Sequence, residues 1–431
     1  MRFYLSLTSC LTFFLASLTF SSLEGTRKLS YKIHSEAGIL INAETGQILF
    51  EKNAYQPRYP TNISKVATAL FAIERNRDLM DMEVIADQEC LIAVSKDEIR
   101  RSNYTLPPHR LGFGGTHMGI KRGEKLPLET LLYGLMLASA NDAANVIAQF
   151  TSGSIPKFMD ELNIYLTEIG CRNTYFKNPH GLHHPDHKTT AYDLAIITRK
   201  GLQDPLFKKI VSTLRYTRPK TNKQDTSTII QLNKLLKQGP YYYTHAIGVK
   251  TGYSNEQGSN LIAAATYEGR TLIAVLLNCK SLNAVYEDAI GLFDEAFAQP
   301  VVTKTLLNKG AQSIRVPIEG VMSPVETLTE QEVTFTCYPA EEPEIKACLI
   351  PSKKTPPLRA GEEIGTLIFK NEQGDELARA SLLATKEIKG SWIYRLKDLF
   401  FKQNIFIKCS ILALISLFCI FLGRSVLIAK H

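Results

Sequence analysis

Two hydrophobic periods alternate along this chain. In 59–70 (YPTNISKVATAL), Ile63, Val66, Ala67 and Leu70 recur at three- and four-residue steps. That spacing predicts a helix with one buried face, entered at Pro60 and Thr61. Leu128, Leu131, Leu132 and Leu135 repeat the pattern behind Pro127, which suits a first helical position, and a second helix is expected to follow over 142–150. Other stretches alternate instead. Residues 37–42 and 47–50 read as a hairpin around Ala43-Glu44-Thr45-Gly46, and 247–253, 261–267 and 271–277 read as three strands in succession. Beyond Pro300 the helical period gives way to short alternating segments, at 313–318, 332–338, 345–350 and 364–369, separated by turn residues such as Asn371-Glu372-Gln373-Gly374.

This pattern predicts a mixed α/β domain over 31–299 and a β-rich domain over 300–387. With 431 residues, 45% of them hydrophobic, the chain is long enough for both. The ends read differently. Arg2 followed by an apolar run to Phe20 and then Ser21-Ser22 outlines a signal peptide over 1–21. Residues 388–431 read as a basic and aromatic lead-in (Trp392, Tyr394, Arg395, Lys397) to a C-terminal membrane segment. Its charge-free run, 409–423, is 15 residues long, and counting 18 residues from Ile405 includes Lys408, near the lower limit for a span. Charge supports the division. Residues 386–431 hold eight Lys or Arg and two acids, so only +2 of the net +8 remains for the rest, and a nucleic-acid footprint on the globular part is not expected.

Five cysteines lie between the ends (Cys90, Cys171, Cys279, Cys337 and Cys348), none in a C-x-x-C pair, which argues against a zinc or thioredoxin-like site. His180, His183, His184 and His187 crowd into eight residues, but Pro179, Gly181 and Pro185 break the helix that would align them as metal ligands, so no metal or other cofactor is expected. Residues 84–115, with the charge run 96–101 and Gly112-Phe113-Gly114-Gly115, read as a surface insertion ending in a loop at the rim of a site.

Three stretches carry candidate chemistry. Lys65 lies on a buried helix, where desolvation lowers a lysine pKa and makes a proton acceptor of it. Ser139 and Asn141 fall in the short connection between two helices, either projecting into a cleft or serving as helix caps. Lys250-Thr251-Gly252 lies on a strand; an edge strand of this kind can pair with an extended peptide while Lys250 and Thr251 meet a carboxylate.

In this order the stretches resemble the S-x-x-K, S-x-N and K-T-G motifs of penicillin-binding proteins and serine β-lactamases. Asn178-Pro179-His180-Gly181-Leu182 and 358–366 resemble segments of the serine-type D-alanyl-D-alanine carboxypeptidases, the low-molecular-mass penicillin-binding proteins. The resemblance implies a transpeptidase-like domain, its sheet flanked by helices, then a small β-rich domain. It implies removal of the terminal D-Ala from peptidoglycan stem peptides by acyl transfer, with β-lactams as possible ligands. It places the protein outside the cytoplasm, at the bacterial inner membrane through its C-terminus. By position, Lys65 takes the proton, Ser139 and Asn141 help shuttle it, and Lys250, Thr251 and Gly252 hold the terminal carboxylate. The family's nucleophilic serine falls on Asn62, whose amide forms no hydrolysable acyl intermediate. Four accounts are open: a paralogue that binds stem peptides or partner enzymes without turnover, an enzyme using Thr61 or Ser139, hydrolysis by water activated on Lys65, or a variant of an active enzyme.

Overall fold

The computed structural model describes residues 17–20, 28–392 and 394–395. These fall into two compact units, residues 26–300 with 338–341, and 301–337 with the rest of both ends.

The larger unit is built on a five-stranded antiparallel sheet. Its strands in chain order are β1 (Ala37–Asn42), β2 (Ile48–Lys52), β3 (Ala246–Ser254), β4 (Gly258–Tyr267) and β5 (Arg270–Cys279). In space they run β3-β4-β5-β1-β2, so the Lys-Thr-Gly strand lies at an edge. β1, β4 and β5 are near-continuous buried runs. Uniform burial of this kind requires cover on both faces, and it divides the apolar side chains into two clusters. On one face Ile39, Ile262 and Val275 join the helices α1 (Lys65–Arg75), α3 (Leu128–Leu137), α4 (Asn141–Ser152), α5 (Ile155–Glu168), α6 (Ala191–Leu202) and α7 (Pro205–Ser212). On the other, Leu40, Leu261 and Leu276 meet α8 (Ala284–Phe297). A short helix, α2 (Lys96–Arg101), stands in the 84–115 insertion.

The smaller unit is an antiparallel six-stranded sheet in the order 17–20, 345–351, 363–370, 376–384, 325–329, 310–316, with Val302–Leu307 and Val333–Cys337 paired separately. Its core gathers Val316, Ala347, Ile364, Leu367, Phe369 and Leu382. The edge strand Ser17–Phe20, in register opposite Ile345 to Cys348, comes from the stretch expected to be a signal peptide. The rest of that leader, and nearly all of the expected membrane segment, lie outside the described residues. Among the described residues no helix is long and apolar enough to cross a membrane.

The first predicted helix starts differently from its pattern. Residues 61–64 form a 3-10 turn, and Lys65 is the first residue of α1 rather than one turn into it. The cause is local. Thr61 sits at φ 52°, a left-handed conformation uncommon for a β-branched residue, so a regular α-helix cannot begin there. Pro127 likewise stands just before α3, as its N-cap.

Candidate active site

α1 delivers Lys65, wholly buried, into the space between the helices and the edge strand. Its ammonium donates three hydrogen bonds: to Asn62 Oδ1 at 3.1 Å, to Asn141 Oδ1 at 2.7 Å and to the backbone carbonyl of His180 at 2.5 Å. The 3-10 turn explains the first, because residues three apart eclipse there and Asn62 is stacked over Lys65. Burial, and after it the nearby Lys250 charge, push the Lys65 pKa well below that of an ordinary lysine, while Asp142 pulls it back up. Burial thus favours the neutral amine, the form that can accept a proton, and the three acceptors hold the nitrogen in place.

The connection between α3 and α4 supplies the second group. Ser139 takes a left-handed turn, φ 60°, and Ala140 occupies the N-cap position without a side-chain bond, so neither Ser139 nor Asn141 serves as a cap. This turn is held by its neighbours. Asn141 N–H donates to the Thr116 carbonyl, Thr116 Oγ1 donates to the Ser139 carbonyl, and the buried Asp142 carboxylate accepts the N–H groups of Met118, Gly119 and Ile120. Ser139 Oγ is buried and has no hydrogen-bond partner among the described residues.

β3 supplies the third group. Lys250 is 1% exposed, and burial brings its pKa down to about 7; its Nζ donates to the Thr251 carbonyl at 3.0 Å. Gly252 is required by packing, since a Cβ there would lie 2.4 Å from Thr61 Oγ1. Across the strand pair from Gly252 stands Asn260. Its Oδ1 accepts the Asn278 N–H, which turns its Nδ2 toward Thr61 Oγ1, 3.0 Å away. Gly181 plays the matching part on the other side: it has φ 84°, and a Cβ there would fall 2.2 Å from the Thr61 carbonyl. Thr61 is thus wedged between two glycines, and Ser64 Oγ is spent on the Thr61 carbonyl.

Next to these groups opens a cleft of about 430 Å³. Asn62, Thr61 and Asn141 line its floor together with Gly181, and Lys96, Arg100, Tyr104, Phe113, Tyr253 and Glu256 line its outer part. Of the residues expected from sequence, Asn62 and Asn141 line the cleft; Lys65 is bonded to both, and the charge of Lys250 on β3 acts on it. Ser139 belongs to the same turn but does not line the cleft. The four histidines diverge. His180 Nε2 meets the His109 carbonyl, His183 packs on Tyr59 and Tyr104, His184 packs on Tyr104, and His187 stacks on Phe176, its pKa pushed down to about 3 by burial.

The His180 carbonyl, Asp142 and Asn260 went unseen in the sequence reading. The first is backbone. Asp142 had a signal, an acid directly after the Ser-x-Asn turn. Asn260, a polar residue inside an apolar strand, had a weaker one.

Comparison with known proteins finds relatives over most of the chain. The D-alanyl-D-alanine carboxypeptidase family profile matches residues 24–281. The chain is 28% identical over 382 residues to D-alanyl-D-alanine carboxypeptidase DacF of Bacillus subtilis, covering 87% of this chain and 91% of that one. The crystal structure of the Streptomyces K15 DD-transpeptidase superposes with a TM-score of 0.54 at 28% identity, over 63% of this chain and 99% of that one. Penicillin-binding protein 5 of Haemophilus influenzae shares the fold over 84% of this chain and 99% of its own, with a TM-score of 0.57 at 23% identity. The chain belongs to the D-alanyl-D-alanine carboxypeptidase family.

Proposed function

We propose that this protein works as a D-alanyl-D-alanine carboxypeptidase, taking peptidoglycan stem peptides that end in D-Ala-D-Ala and releasing the terminal D-alanine by acyl transfer. One observation carries the reading: Lys65 is bonded to Asn141 and feels the charge of Lys250, which stands on the edge strand whose Tyr253–Ser254 end lines one cleft with Asn62 and Asn141. A peptide laid antiparallel on β3 puts its terminal carboxylate at Lys250 and Thr251. Burial makes the Lys250 ammonium a strong partner for that carboxylate, because little water competes.

Acyl transfer needs a hydroxyl whose oxygen bonds to the penultimate carbonyl carbon while the peptide nitrogen leaves with a proton; water then splits the ester. Residue 62 offers an amide. Of the hydroxyls nearby, Ser64 is committed to the Thr61 carbonyl, and Thr61 Oγ1 is turned to Asn260. Ser139 Oγ is buried and off the cleft lining, but among the described residues it has no partner and it adjoins Asn141, so it is the hydroxyl to test as acyl acceptor. The relative named above carries the enzyme's name, and nothing among the comparisons favours a paralogue that binds without turnover. The proposed setting is the outer face of the bacterial inner membrane, with β-lactams as ligands and the C-terminal segment as the tether. Labelling by a fluorescent penicillin tests the reading: slow labelling that Ser139→Ala abolishes and Thr61→Val leaves in place supports it, and labelling indifferent to both changes contradicts the assignment.

A further inference from the structure

The β-rich unit borrows a strand from the leader. Ser17–Phe20 pairs antiparallel with the 345–351 strand, Ser17 opposite Cys348 and Phe20 opposite Ile345. These residues fall inside the stretch 1–21 that reads as a signal peptide, so cleavage near Ser21 takes them away. The sheet order then leaves Ile345–Pro351 (IKACLIP) at the edge. An apolar edge strand with a free row of N–H and C=O groups is a template for pairing with another chain.

Geometry says which chain fits. Cys348 is the middle residue of Ile345–Pro351, so a second copy laid antiparallel about a two-fold axis at Cys348 uses the whole strand of both. Ala347 then faces Leu349 of the second copy and Lys346 faces its Ile350, so the strand's lysine never meets itself. A two-fold axis at Lys346 would oppose two like charges. Hydrogen-bond direction agrees. Ser352 N–H donates to the Ile364 carbonyl at 2.9 Å, and alternation turns the backbone groups of Lys346, Cys348 and Ile350 to that same inner side. The groups of Ile345, Ala347 and Leu349 are the ones left to pair outward. Cys348 thus meets its own copy as a non-hydrogen-bonded pair, with α-carbons about 4.5 Å apart, inside the span of about 4.4–6.8 Å that a disulfide bridges. Its thiol is free and half-buried, and Lys346 and Ile350 on the same face are exposed.

We propose that, once the leader is removed, two copies of this chain pair through Ile345–Pro351, their β-rich sheets joining into one about a two-fold axis at Cys348. Until then the leader's own strand covers the edge and keeps the precursor single. The interface uses no residue of the cleft and stands apart from the carboxypeptidase reading.

The test uses the full chain in detergent, purified after export, with its N-terminus read by mass spectrometry. Oxidised glutathione should turn it into a covalent dimer, the two thiols passing two protons and two electrons to the glutathione disulfide, and the link should map to Cys348 of both copies. Sedimentation measures the association without that link. Ile350→Lys sets a lysine opposite Lys346 of the second copy, and Ile350→Glu sets an opposite charge there. The site is exposed, so both variants should fold alike, and the Glu variant should dimerise at least tenfold more tightly than the Lys variant in low salt. A chain that stays single at every concentration, a ratio near one between the two variants, or a link that maps elsewhere overturns the proposal. So does an exported chain that keeps residues 17–20, because its edge is then filled from within.

Discussion

The two ends of the cleft are built on opposite principles. At the inner end, Lys65, Lys250 and Asn141 are each about 1% exposed or less, and hydrogen bonds fix each of them. At the outer end, Arg100, Glu256 and Phe113 stand in water, and the first two are joined by one exposed ion pair. Burial raises the cost of every unsatisfied group, so the inner end tolerates little change. Water screens the outer end, where substitutions do not threaten the fold. The cleft region therefore has a buried, hydrogen-bonded half and an exposed, adjustable half.

The difference sets an order of effects. Lys250→Met removes a buried ammonium from the proposed carboxylate position, and D-Ala-D-Ala peptides should bind about 100-fold more weakly, within the 2–5 kcal/mol range for truncating one partner of a buried charge pair. Isothermal titration measures it. Gly252→Ala pushes a methyl against Thr61 Oγ1 at 2.4 Å, and overpacking of this kind costs about 1–3 kcal/mol in a denaturant melt. A smaller effect is expected from pH. With the free Lys250 pKa at about 7, a bound carboxylate stabilises the charged form, so affinity is greatest below pH 7. It should fall by about tenfold between pH 6 and pH 8, and the fall should disappear in Lys250→Met. At the outer end, Arg100→Ala should change stability by less than about 0.5 kcal/mol in the same denaturant melt. A larger loss of stability would show that the two halves are not built differently.

Much of the inner end was legible from sequence, for a physical reason. Lys65, Ser139, Asn141 and Lys250-Thr251-Gly252 are side chains at fixed local spacings, and spacing is what a linear pattern records. Their supports are not local. The His180 carbonyl, Asn260 and Asp142 act through contacts between distant segments, and the left-handed turn at Thr61 depends on Gly181 and Gly252 from two other elements. The β-rich unit shows the same limit. Alternation marked Ile345–Pro351 and Glu363–Lys370, whereas Glu376–Ala384 (ELARASLLA) has the residues of a helix and is held as a strand by pairing with Glu363–Lys370. At the outer end the charge run 96–101 was visible, but its partner Glu256 was not.

Residue 62, where the resemblance places the nucleophile, tests the account most directly. Asn62 stands over Lys65 at 3.1 Å, and a serine there would place a hydroxyl within reach of the same amine. Acylation by a fluorescent penicillin should be followed in the native chain, in Asn62→Ser and in Asn62→Ser with Lys65→Ala. The account predicts at least a tenfold faster reaction in Asn62→Ser, and loss of that gain in the double variant. Equal labelling of the native chain and Asn62→Ser, or no labelling of either, would contradict a cleft that is otherwise complete for acyl transfer.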